Sequence, residues 1–174
     1  MTGKDFMRAV AHGEVDILQL FLAVLEEIKA TYCVIGGLAV NAYAEPVVSL
    51  DLDLVVISAD IQRISAAAQA KGLKVQPFEH SVNLSQVGSD LRIQLQTDPR
   101  YQEFLARAET RTVLGYKMAV ASLPDVLKGK IWAYSDQTRR RSKRQKDLAD
   151  ILRLVENHPE LKTQLPPRIV SEIE

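Results

Sequence analysis

Residues 32–57 read YCVIGGLAVNAYAEPVVSLDLDLVVI, and two features of this stretch decide the fold. The first is the run LDLDLVVI over residues 50–57, which alternates apolar and acidic residues and then turns wholly apolar. That pattern predicts a strand with one polar face at its start and full burial further on. Side chains two apart on a strand share a face, so Asp51 and Asp53 aim two carboxylates in the same direction. The second feature is Gly36-Gly37, which ends the short strand-like run YCVI and leads into LAVNAYAE. That stretch suits a short helix, ended before Pro46 because the residue preceding proline disfavours helical geometry.

Both features point to phosphate chemistry. Two close carboxylates repel each other unless a cation sits between them. Magnesium suits the place: it is hard, prefers oxygen, and is usually held by one or two carboxylates together with substrate phosphates. In nucleotidyl transfer such a metal activates the attacking oxygen and stabilises the leaving one. Paired glycines let the backbone approach a ligand closely, and backbone N–H groups at a helix start suit a triphosphate. Each feature is common by itself. Their combination, with fourteen residues from Gly37 to Asp51, is far more specific.

Working outward, residues 15–30 carry apolar residues at helical spacing, and residues 60–71 read as a helix stopped by Gly72. LKVQPFE, SVNLSQV and LRIQLQ read as three strands. Residues 100–108 suit a helix, followed by the β-rich stretch RTVLGYKMAVA. Ser122 caps a further helix with Pro124 and Asp125 in its first turn. The polar, basic segment DQTRRRSKRQ separates that helix from another near 144–156, and a short helical tail closes the chain. This order predicts an α/β (α+β) domain over residues 1–121 and a helical C-terminal part over 122–174, with no clear linker between them.

The chain of 174 residues carries 22 basic and 22 acidic side chains, which excludes a strongly basic nucleic-acid coat over the whole protein. Cys33 is the single cysteine and lies in an apolar run, so it reads as a buried small hydrophobe. His12, His80 and His158 are scattered and form no recognisable site, and Trp132, at helical spacing, reads as core. The N-terminus has no apolar signal core and no stretch is long enough to span a bilayer, which predicts a soluble, cytoplasmic protein without membrane attachment.

The stretch IGGLAVNAYAEPVVSLDLDLVV resembles the GG…DxD signature of the DNA polymerase β-like nucleotidyltransferase superfamily. The resemblance implies a small mixed β-sheet flanked by helices, with Gly36 and Gly37 holding nucleotide phosphates and Asp51 and Asp53 holding Mg2+. VASLPDVLKGKIWAYSDQTRRRSKRQKDLADILRL resembles the later motif of bacterial AbiEii-type and related minimal nucleotidyltransferases. The matching residues imply that Lys130 neutralises phosphate charge, while Asp147 orients that lysine or helps activate the acceptor. The implied reaction transfers a nucleoside monophosphate from a nucleoside triphosphate to an acceptor hydroxyl on tRNA, a protein or a small molecule. A toxin–antitoxin or phage-defence setting, with an antitoxin partner, follows from the same resemblance.

The sequence also departs from that pattern. Many members supply a third carboxylate from a later strand, here LRIQLQTD, where glutamine stands in its place and Gln94 is the matching position. An amide oxygen can touch a metal but cannot take a proton from a hydroxyl. Three readings follow: Lys130 and Asp147 substitute for that carboxylate, Asp98 reaches the site from the strand end, or the protein is a catalytically weakened form that binds a nucleotide or a protein partner. Val47 and Leu38 stand where related sequences often carry arginine and serine.

Plainer readings exist for each residue. Asp51 and Asp53 could sit solvated on an edge strand, Lys130 could be a surface lysine, and Asp147, like Asp150, could be a first-turn helix acid. The cluster Arg139, Arg140, Arg141, Lys143, Arg144 and Lys146 is either a solvated face or a contact for the backbone of an RNA acceptor.

Overall fold

The structure, a computed structural model, describes residues 2–11 and 16–174; His12 lies outside them. Seven strands form one mixed sheet: β1 (Tyr32–Ile35), β2 (Asp51–Val56), β3 (Lys74–Pro77), β4 (Ser81–Ser85), β5 (Arg92–Gln96), β6 (Glu109–Val113) and β7 (Tyr116–Val120). Their order across the sheet is β3-β4-β5-β2-β1-β7-β6. β2 pairs antiparallel with β1 and parallel with β5, and β1 pairs parallel with β7. The antiparallel pairs β3–β4 and β6–β7 form the two flanks.

The helices are α1 (Gly3–Ala11), α2 (Ile17–Glu27), α3 (Gly36–Val40), α4 (Ile61–Ala70), α5 (Leu123–Ser135), α6 (Arg141–Asn157) and α7 (Pro167–Ile173). α2 starts where the Asp16 side chain accepts from the Gln19 N–H, and it buries Ile17, Leu18, Phe21, Leu22, Val24 and Leu25. This apolar stripe is the one its helical spacing predicts. α5 opens on Ser122, whose side chain accepts from the Asp125 N–H. α5 packs on α6, and α3 packs on both.

β2 follows its sequence pattern: Asp51 and Asp53 are half-buried, while Leu52, Leu54, Val55 and Val56 are fully buried in the core. Burying four such side chains supplies roughly 1.5–3 kcal/mol each relative to exposure. That gain holds the strand at the centre of the sheet and its carboxylates at one end of it.

Several local expectations are corrected. Gly36 and Gly37 do not precede the helix; they are its first two residues, and the helix ends at Val40. Residues Pro99–Arg107 form a 3-10 helix capped by Asp98. The β-rich stretch after it is a hairpin that turns at Leu114 and Gly115, both at positive φ (50° and 83°). The second half of the basic segment is helical, because α6 begins at Arg141. α1, at the N-terminus, has no counterpart in the sequence reading. Trp132 is half-buried and stacks on Phe104 at 5.7 Å between ring centroids.

Candidate active site

The carboxylates of β2 meet the glycines of α3 through strand register. Ile35 at the end of β1 pairs with Asp53, which sets Gly36 directly against that carboxylate. Gly36 has φ of 71°, and a Cβ there would stand 2.6 Å from Asp53 Oδ2. Only glycine accepts both the backbone angle and the close approach. Gly37 faces Ser49, whose Oγ would stand 3.3 Å from an added Cβ.

Asp51 is held by two cations, with Arg92 Nε at 2.9 Å and Lys143 Nζ at 3.2 Å. Asp53, its neighbour on the same face, makes no hydrogen bond or ion pair with any described residue. Burial, and then the nearby Asp51, push the Asp53 carboxyl up from 3.8 to about 6. The site therefore contains one neutralised carboxylate beside one that is costly to ionise. Gln94 is the residue paired with Asp53 on the adjacent strand β5, at the position where the family resemblance implies a third carboxylate. Asp98 is spent elsewhere: it caps the 3-10 helix by accepting from the Arg100 N–H at 2.9 Å and pairs with the Arg100 guanidinium.

Lys130 and Asp147 are both buried, so neither is a surface residue, and α6 starts at Arg141, which puts Asp147 beyond its first turn. Lys130 Nζ lies 3.0 Å from Asp147 Oδ1 and 2.7 Å from Asp150 Oδ2. Burial alone would lower the Lys130 pKa, but Asp150 and Asp147 outweigh it and raise the value, keeping the ammonium charged. Arg139 closes the other side of Asp147 at 2.7 Å, and Arg153 closes Asp150 at 2.8 Å. Arg153 also donates to Asn41 Oδ1 at 3.1 Å and to the Glu45 carbonyl. Asn41 in turn clasps Val47 by both its N–H and its carbonyl. A continuous polar chain thus ties α6 to the loop that enters β2.

Two cavities meet at Asp53, Gln94 and Arg139. One, of about 370 Å³, runs past Asp51, Arg92 and Lys143 over β4 and β5. The other, of about 110 Å³, lies between Gly36, Tyr101, Lys130 and Asp147. The residues named from the sequence therefore gather at one cleft, with Gly37 beside Gly36 at its back. Arg139, Lys143 and Arg144 pair with Asp147, Asp51 and the Tyr134 carbonyl, Arg139 while still exposed, and Arg140, Arg141 and Lys146 are exposed.

Arg92 and Lys143 as partners of Asp51, and Asp150 as a second partner of Lys130, are roles the sequence reading does not assign. The signal for Arg92 is its spacing two residues before Gln94, which places it on the same strand face. Nothing local marks Lys143. Among the described residues no group of three or more His, Cys, Asp or Glu side chains is placed to hold a metal ion.

No family model matches the sequence, and no curated protein matches it. Solved structures do. The antibiotic-resistance factor ANT(2'')-Ia superposes with a TM-score of 0.59 at 12% identity, over 90% of this chain and 86% of that one. The lincosamide antibiotic adenylyltransferase LnuA, in its lincomycin-bound form, gives 0.58 at 13% identity, over 83% and 99%. The chain has the nucleotidyltransferase fold. An antigenic nucleotidyltransferase-like protein from Paracoccidioides brasiliensis shares that fold, with a TM-score of 0.55 at 16% identity over 91% of each chain. In a nucleotidyltransferase fold the mixed sheet is flanked by helices, as here. Among the described residues no helix is long and apolar enough to cross a membrane.

Proposed function

We propose that the protein transfers a nucleoside monophosphate from a nucleoside triphosphate to an acceptor hydroxyl. The observation that carries this reading is the Asp53 carboxylate: unpartnered among the described residues, raised to about 6, beside Asp51 and behind a glycine that leaves it room. Such a pair suits Mg2+, which commonly takes one or two carboxylates and completes its shell with water and phosphate oxygens. Two protein carboxylates are enough for that donor set. Asp51 and Asp53 would hold the metal, whose chemistry there would be Lewis-acid stabilisation of phosphate and leaving-group charge.

The chain's own residues supply the rest. Gly36 and Gly37 admit the triphosphate close to the backbone. Lys130, kept charged by Asp147 and Asp150, neutralises phosphate charge, and Arg139 adds a second positive group at the same wall. The acceptor oxygen forms a bond to the α-phosphorus as the bond from that phosphorus to the bridging oxygen breaks. Pyrophosphate departs with the electron pair. Gln94 can orient the acceptor hydroxyl through its amide oxygen, and the proton passes to water because an amide cannot hold it. In this reading residues 1–121 carry the carboxylates and glycines, and residues 122–174 bring Lys130, Arg139, Lys143 and Asp147 to them.

Among acceptors, a small molecule fits better than RNA, since half of the basic cluster is committed to internal partners. The similarity to ANT(2'')-Ia, solved with adenylyl-2''-tobramycin, and to lincomycin-bound LnuA supports the same preference. A defence role with an antitoxin partner rests on the AbiEii-type sequence resemblance alone.

Gln94 opposite Asp53 favours a second reading, a nucleotide-binding protein with little or no transfer activity. Isothermal titration of each of the four nucleoside triphosphates, with magnesium and with chelator, tests the shared premise. Magnesium-dependent binding that disappears in Asp51→Asn/Asp53→Asn supports both readings, and turnover of the bound nucleotide with an acceptor separates them. Absence of binding by the folded protein rejects both.

A further inference from the structure

The larger cavity is walled by a file of primary amides. Gln76 on β3 pairs with Asn83 on β4, Asn83 pairs with Gln94 on β5, and Gln94 pairs with Asp53 on β2. Cross-strand partners lie side by side on one face of a sheet. Gln76, Asn83 and Gln94 therefore form a row that leads from the Asp53 carboxylate to the edge of the sheet, along a cavity of about 370 Å³. None of the three side-chain amides makes a hydrogen bond with a described residue. Each offers both a donor and an acceptor to whatever lies against it, the pairing that a hydroxyl group matches.

The charges along the cavity exclude one class of acceptor. Among the described residues its only carboxylates are Asp51 and Asp53, which would hold the proposed metal, while Arg92, Arg139 and Lys143 bring three positive groups to the same walls. Arg92 and Lys143, which pair with Asp51 here, would face the cavity if Asp51 held a metal. A polyamine sugar would meet like charges there and find no free carboxylate to pair with.

Resting on the transfer reading above, we propose that the amide row is the acceptor subsite and that it takes a hydroxyl-rich small molecule carrying no positive charge, such as a sugar or sugar phosphate. One hydroxyl reaches Gln94 beside the reacting centre, further hydroxyls lie on Asn83 and Gln76, and an anionic substituent sits at Arg92 and Lys143.

The test is ligand-observed NMR titration of the nucleotide-free protein in magnesium, with methyl α-glucopyranoside, glucose 6-phosphate and tobramycin as probes. Both glucose probes bind, the phosphate more tightly, and tobramycin binds at least ~tenfold more weakly than glucose 6-phosphate, a gap of about 1.4 kcal/mol. Asn83→Leu and Gln76→Leu, both at exposed positions, each weaken the two glucose probes by roughly tenfold. Arg92→Glu reverses the order of glucose 6-phosphate and tobramycin. Tightest binding by tobramycin, glucose binding unaltered in both leucine variants, or no binding of either glucose probe by the folded protein overturns the proposal. Nucleotide titration on the same preparation reports separately on the transfer reading, so failure of one is not mistaken for failure of the other.

Discussion

Gly36 lies so close to Asp53 that a Cβ on the glycine would stand 2.6 Å from the carboxylate oxygen Oδ2. The paired glycines and the DxD pair are thus one device, in which the first glycine makes the space the second carboxylate fills.

Gly36→Ala consequently costs about 2–4 kcal/mol, from the left-handed backbone angle and the displaced carboxylate together. Gly37→Ala, which meets only Ser49 Oγ at 3.3 Å, costs less. Urea denaturation of the two variants measures the difference, and equal losses would contradict this reading of the glycines.

Asp53 makes stability depend on pH in a stated direction. Its folded-state carboxyl is raised to about 6 from 3.8, so between those values the folded protein binds more protons than the unfolded one. Stability from this group is therefore present at low pH and is lost as pH rises through about 6. Asp53→Asn is expected to stabilise the metal-free protein at pH 7.5 by up to about 3 kcal/mol and to have little effect near pH 4. Thermal unfolding across that range checks the sign, and magnesium binding at the proposed site would weaken as Asp53 protonates below about 6.

Lys130 is the buried partner of two buried carboxylates. Lys130→Met leaves Asp147 and Asp150 short of a counter-charge and is expected to cost about 3–5 kcal/mol. Adding Asp147→Asn restores part of the loss, because one uncompensated charge is removed with it. A double-mutant comparison by chemical denaturation shows whether the recovery occurs.

Gln94→Asp places a proton acceptor beside Asp53. If proton removal limits transfer, the rate rises by at least ~tenfold, while the metal-free protein becomes less stable because a third carboxylate joins the pair. Single-turnover transfer with an identified acceptor reads the first effect and denaturation the second.

Much of the fold was legible locally. The limits of β1 and β2 follow from four apolar residues and a two-residue alternation, and α4 stops where Gly72 takes a φ of 88°. The limits of α3 and α6 were not legible. Helix propensity allows Asn41–Glu45 to continue α3, but the Asn41 side chain instead binds both backbone groups of Val47 and turns the chain. The basic residues from Arg141 look like a solvated linker until α5 is packed against them.

By itself the sequence determined that two carboxylates share one strand face and that two glycines precede them at a set distance. These are consequences of periodicity and residue type, which act over a few residues; that Gln94 stands in place of a third acid is what the nucleotidyltransferase resemblance implies. Tertiary structure alone decided that Lys130 is buried between Asp147 and Asp150, that Lys143 and Arg92 neutralise Asp51 while Asp53 has no partner among the described residues, and that Gln76, Asn83 and Gln94 line up. Those relationships join residues far apart in the chain. They exist only because sheet register and the packing of α5 on α6 fix distances that no local preference encodes.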